Sequence, residues 1–75
     1  AELATAEAGL RQAQAHAASA RDARQRLEAS GQRGLVSERE LTAARALDRE
    51  AAAAVGAARA AVEQARSRLA LTLPD

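Results

Sequence analysis

The chain is 75 residues long, with 11 basic residues, all arginine, 10 acidic ones and a formal charge of +1. That length allows at most one domain, and the near-balance of charge excludes a net field that would draw nucleic acid. There is no aromatic residue, no Met and no Cys, and alanine supplies most of the apolar count.

Alanine has the highest helix propensity but buries little surface, so any core is thin. A chain of this kind is expected to be an arm of a larger protein rather than a free-standing domain. The absence of Cys fits reducing and oxidising surroundings alike. No apolar run approaches the ~18 residues of a membrane span, and no signal-peptide pattern occurs.

The periodicity predicts a first helix over about 2–29. Leu3, Ala6, Leu10, Ala13, Ala17, Ala20, Arg24 and Leu27 recur in alternating steps of three and four, which is a heptad seam. Glu2, Glu7, Arg11, Gln14, Arg21 and Asp22 take the outer face. Glu7 precedes Arg11 by four, the favourable order for a helical ion pair. Gly9 falls on the polar side and reads as neutral rather than as a hinge. His16 lies beside Ala17; with no Cys or second His, it reads as a flank residue and not as a metal ligand.

Ser30, Gly31, Gln32, Arg33 and Gly34 break the period, placing a tip over about 30–37. Gly31 is expected to end the helix in the left-handed conformation, and Gly34 to supply a second positive φ for the reversal. Ser37-Glu38-Arg39-Glu40 is an S-x-x-E capping box. Ser37 would accept from the Glu40 amide while the Glu40 carboxylate reaches back to the Ser37 amide. Val36 and Leu41 fit the hydrophobic staple that accompanies such a box. Leu35 has no comparable partner. An apolar loop residue among Arg26, Arg33 and Arg39 reads equally as a docking site and as ordinary loop.

A second helix follows over about 38–70, with Leu41, Ala44, Asp48, Ala51, Val55, Ala58, Val62, Ala65 and Leu69 as its seam. Residues 71–75 form an exit segment. There Thr72 and Leu73 favour strand, and Pro74 disfavours helix at the residue before it.

These elements predict an all-α fold, a two-helix antiparallel coiled-coil hairpin over 1–75. Folding back near Gly34 pairs positions whose numbers sum to 68. Leu27 then meets Leu41, Arg24 meets Ala44, Ala20 meets Asp48, Ala13 meets Val55 and Leu3 meets Ala65. Arg24 and Asp48 fall in neighbouring layers and read as a register pair, a cross-helix ion pair that fixes alignment more than it adds stability. The other reading makes them partner-binding charges near the tip.

No catalytic constellation is present. Ser19 and His16 are three apart but lack an oxyanion loop and an orienting acid. Gly31 and Gly34 precede a helix without the Lys-Ser/Thr of a phosphate loop. The chain reads as no enzyme, with no cofactor and no metal.

The stretch Arg33-Gly34-Leu35-Val36-Ser37-Glu38-Arg39-Glu40-Leu41, entering a helix with Ala43-Ala44, resembles the hairpin turn of periplasmic membrane fusion proteins. These are the adaptors of tripartite efflux pumps and type I secretion systems, the HlyD-like family. Ala1 to Ala8 is similar to that family's first hairpin helix, and Ala60 to Leu69 to its second. The resemblance implies a hairpin projecting from a split lipoyl-like domain, in a protein anchored at the inner membrane of a Gram-negative bacterium and located in the periplasm. It implies a TolC-type outer-membrane channel at the tip and an inner-membrane transporter reached through the rest of the parent. It also implies a homo-oligomer of adaptors.

Many members of the family carry at the tip an Arg, a Leu four residues later and a Ser seven beyond that. Ser37 matches the last, which puts Arg26 in the Arg position and Ser30, a departure, in the Leu position. A register using Leu27 puts Ala23 in the Arg position and needs a turn three residues longer. The partner-binding tip is thus Arg26, Ser30, Arg33, Gly34, Leu35, Val36 and Ser37.

Two rival readings stand beside this one. A spacer or oligomerisation coiled coil would have no tip partner. A nucleic-acid-binding arm would need a continuous basic stripe, whereas the arginines here are interleaved with Asp22, Glu28, Glu38, Asp48 and Glu50.

Overall fold

Residues 1–72 are described by a computed structural model of the chain. They form two helices, α1 over Glu2–Gln32 and α2 over Glu38–Thr72. The two pack side by side as an antiparallel hairpin measuring 63 × 14 × 13 Å. Among the described residues there is no strand.

The heptad seam is where the two helices meet. All eight α1 seam residues from Leu3 to Leu27 are half-buried, and none is fully buried. On α2, Ala44, Ala51, Val62 and Ala65 are buried, while Leu41, Asp48, Val55 and Ala58 are half-buried. A pair of helices covers only one side of each, so burial is confined to the seam and is complete at only four α2 positions among the described residues. Leu69 departs from the pattern at 46% exposed. It lies opposite Leu3, near the start of α1, where the partner helix has almost run out.

The register differs from the one expected. Arg24 bonds to Asp48 rather than lying opposite Ala44, and Gly31 rather than Leu27 faces Leu41. Facing numbers sum to 72 in these two layers, and the seam spacing gives 71 in the layers between. The physical reason is the length of α1, which continues to Gln32 instead of stopping near 29. The centre of the reversal therefore moves from Gly34 to Val36, and α2 slides by one seam position.

Gly31 is also reassigned. It stays inside α1, and only Gly34 takes a positive φ, at 74°. Gly31 instead leaves room for the Leu41 and Val36 side chains to pack against α1. A Cβ there would stand 3.0 Å from one Leu41 methyl and 3.4 Å from a Val36 methyl.

Carried along the seam, the observed register produces two kinds of layer. Leu3/Leu69, Leu10/Val62, Ala17/Val55, Arg24/Asp48 and Gly31/Leu41 each contain a bulky side chain. Between them lie Ala6/Ala65, Ala13/Ala58, Ala20/Ala51 and Leu27/Ala44. Bulky layers thus alternate with layers that are mostly alanine on both sides, which lets the helix backbones approach closely.

At the open end, Leu71 and Thr72 remain helical, so the change to extended backbone expected from residue 71 does not occur there. The rest of that expected exit segment, residues 73–75, lies outside the described residues.

Candidate partner-binding tip

The turn is built from two interlocking helix ends. At the end of α1, the Leu35 amide donates to the Ser30 carbonyl at 3.0 Å and the Gly34 amide to the Gly31 carbonyl at 2.9 Å. With Gly34 at φ 74°, this is a Schellman motif, in which glycine adopts the left-handed conformation without a Cβ clash. The Arg33 amide also donates to the Ser30 carbonyl, at 3.1 Å.

At the start of α2, the Ser37 hydroxyl accepts the Glu40 amide at 3.2 Å. The reciprocal arm of the box differs from expectation. The Ser37 hydroxyl donates to the Glu40 carboxylate at 3.4 Å, where the Ser37 amide was expected to do so. The Leu41 amide donates to the Ser37 carbonyl at 3.1 Å and opens the α2 ladder. Val36 is half-buried against Gly31.

This geometry leaves few free dihedrals between Arg33 and Ser37. In a Schellman motif the residue after the left-handed glycine usually folds its apolar side chain back onto the helix. Leu35 holds that position yet remains 69% exposed. Arg33 and Arg39 beside it are exposed and, among the described residues, carry no ion pair.

Of the predicted tip residues, Ser30, Arg33, Gly34, Leu35, Val36 and Ser37 come together in the turn. Arg26 stands apart from them. It lies one helical turn before Ser30, and its guanidinium pairs with Asp22 at 2.8 Å on the outer face. Ser30 contributes its backbone carbonyl. Leu27, central to the competing tip register, is half-buried in the seam.

Behind the turn lies a charge network. Arg24 Nε donates to Asp48 Oδ2 at 2.6 Å, and the same guanidinium bonds to Glu28. Arg45 reaches the other Glu28 oxygen at 3.4 Å. Arg24 is held above the usual arginine pKa, first by its hydrogen bond to Asp48 and then by the one to Glu28. Its stem lies in the seam while its head is satisfied by two carboxylates, which is how a long cation occupies a partly desolvated layer.

Sequence reasoning missed Leu47. It is 56% exposed and borders a shallow groove with His16, Glu50, Ala51 and Ala54. It stands one residue before the seam position Asp48, so it belongs to the flank of the hairpin. An apolar residue adjoining a seam position was the available signal. Among the described residues, no three His, Cys, Asp or Glu side chains converge as a metal site would require, and no buried side-chain polar atom lacks a partner.

Comparison with known proteins matches residues 2–72 to the family described as RND MFP, alpha-helical hairpin domain. No curated protein and no solved structure matches significantly. The family match spans both helices and the turn between them. The chain therefore belongs to the RND membrane fusion proteins, the periplasmic adaptors of efflux pumps, and is their α-helical hairpin.

Proposed function

We propose that this hairpin is a non-catalytic arm that docks by its tip onto a TolC-type outer-membrane channel, while its helix flanks pack against neighbouring adaptor copies. The remainder of the parent protein, anchored at the inner membrane of a Gram-negative bacterium, engages the inner-membrane transporter. The observation that carries this reading is Leu35. An apolar side chain held 69% exposed on a turn clamped by a Schellman motif and a serine cap, at one end of a rod 63 Å long, is a preorganised contact. Exposed apolar anchors ringed by polar groups supply much of the energy at protein interfaces, and a rigid backbone lowers the ordering cost of binding.

Within this scheme Leu35 is the anchor. Arg33 and Arg39 are rim charges that set orientation and encounter rate. Ser37 and Gly34 hold the turn. No step of chemistry is assigned to any residue.

The test is a photo-crosslinkable residue at Leu35 in the full-length protein, expressed in its own cell. Capture of an outer-membrane channel protein is the expected result. Capture of nothing, while an outer-face control site traps sister copies, would replace the docking arm with a spacer.

A further inference from the structure

A ladder of ion pairs along one side of the hairpin is broken in its middle. Glu7 pairs with Arg66 at 3.9 Å and Glu28 with Arg45 at 3.4 Å, each across the two helices. Both pairs have numbers summing to 73, and all four residues directly follow a seam position, so the pairs lie on one side of the seam. Steps of seven between them give two intermediate rungs, Gln14/Arg59 and Arg21/Ala52. Neither rung has an acid, and Arg21 and Arg59 have no ion-pair partner among the described residues. An open groove of about 410 Å³ lies at this level, bordered by all four residues of the missing rungs. Asp48 borders it too, but its carboxylate is taken up by Arg24.

The seam is thinnest at the same level. Its layers there are Ala13/Ala58, Ala17/Val55 and Ala20/Ala51, and Val55 is their one side chain larger than alanine. Gly56, among the weakest helix formers, follows Val55 with open space around it. Between the Glu7/Arg66 rung and the Arg24/Asp48 layer, roughly 25 Å of rod, no side-chain hydrogen bond or ion pair joins the helices among the described residues. We infer that this stretch is an elbow, at which the helix pair loosens around Ala17/Val55 and the tip half tilts against the open-end half. Each half is held as a unit. Glu2/Arg68 and Glu7/Arg66 tie the open end, and Arg24, Glu28, Arg45 and Asp48 tie the stretch behind the turn. Alanine layers lose little on parting, and segments with few buried apolar contacts open first. The use of the elbow rests on the arm reading above. An arm held at its open end by the parent protein and at its tip by a channel needs a compliant stretch between them.

Hydrogen–deuterium exchange of the full-length protein, resolved by peptide, tests the elbow directly. Residues 11–22 and 50–61 are expected to exchange about tenfold faster than 24–32 and 38–47. Ordinary fraying runs the other way, from the ends inward, so even exchange along the rod, or slowest exchange in its middle, overturns the elbow. Gln14→Glu with Ala52→Glu supplies the two missing acids and is expected to slow the middle to the rate of its neighbours. Gln14→Lys with Ala52→Lys adds similar side chains without the pairing and should leave it fast. If both variants slow the middle, or neither does, the broken ladder is not its cause. A photo-crosslinkable residue at Leu35 in the same chains then reads the use of the elbow. Channel capture is expected to fall in the glutamate variant and persist in the lysine variant. Undiminished capture by a stiffened rod overturns the elbow's part in docking and leaves tip docking standing. Absence of capture even from the chain with native Gln14 and Ala52 overturns tip docking, and the exchange pattern alone then decides the elbow.

Discussion

Arg24 Nε lies 2.6 Å from Asp48 Oδ2 in the one seam layer where both helices contribute a charged side chain. Sliding α2 by one seam position would set Arg24 against Ala44 and Asp48 against Ala20. Half-buried Asp48 would then lose its partner and Arg24 would keep only Glu28, whereas the alanine layers would hardly register the change. A pair of this kind discriminates between alignments even where its net stabilisation is small.

Asp48→Arg is accordingly expected to disturb alignment more than Asp48→Ala. The readout is disulfide capture between Leu10→Cys and Val62→Cys, which share a layer in the observed register. Capture should fall in Asp48→Arg and recover only partly in the reversed pair Arg24→Asp/Asp48→Arg, because the new carboxylate faces Glu28. Arg24 itself brings no pH dependence near neutrality. Its raised pKa means that its contribution is complete below the unfolded arginine value and is lost only in strong base.

The glycines divide by backbone conformation. Gly9 and Gly56 lie within helices with open space where a Cβ would go. Alanine at either should raise stability by roughly 0.4–1 kcal/mol, chiefly by restricting the unfolded chain. Gly34→Ala should lower it by about 1–2 kcal/mol, because that residue must hold a positive φ. Thermal melts followed by circular dichroism separate the two signs.

Ser37→Ala removes the acceptor for the Glu40 amide and should cost about 0.5–2 kcal/mol. Ser37→Asp keeps an acceptor at the cap and should retain most of that stability. If both variants melt alike, the cap is not what holds the start of α2.

Val62 is 3% exposed and Leu47 is 56% exposed, so truncating each tests a different property. Val62→Ala should destabilise by about 2 kcal/mol, from two lost methyl groups at ~0.8 kcal/mol each and the cavity they leave. Leu47→Ala should scarcely shift the melt and should instead weaken association between copies, measured by sedimentation.

Leu35→Asp is expected to leave the helical content and the melting temperature unchanged, since the side chain is mostly exposed and makes no cap. Transport by the pump that contains the full-length protein, at normal abundance, should nevertheless be lost. Retained transport together with retained channel association would end the docking idea.

The seam residues were legible because aliphatic and alanine positions alternating by three and four place one apolar stripe along a helix, and such a stripe needs a partner helix to cover it. Alignment was not legible. An alanine-rich seam matches its partner almost equally well at several offsets, so the expected register depended on where α1 ended. Ser30 and Gly31 looked like a stop because both are poor helix formers in isolation. In the hairpin, Leu41 and Val36 pack where the Gly31 side chain would be, and that tertiary contact outweighs local propensity. The turn was partly legible. The serine cap follows from an S-x-x-E string, but the position of Leu35 after the left-handed glycine could be assigned only once Gly34, and not Gly31, was known to reverse the chain. Leu47 went unread because attention to the seam discounts the flank position beside it.

Alternation of bulky and alanine layers has a consequence for how such an arm changes size. The pattern repeats every seven residues on each helix, and the turn is a separate, self-contained unit. Seven residues inserted into α1 and seven into α2 at the same level preserve every pairing and move the turn outward by about 10.5 Å. An insertion into one helix alone throws all layers beyond it out of step. The distance bridged by this fold is therefore quantised, and a protein needing a wider gap closed must lengthen both strokes of the hairpin together, one heptad at a time.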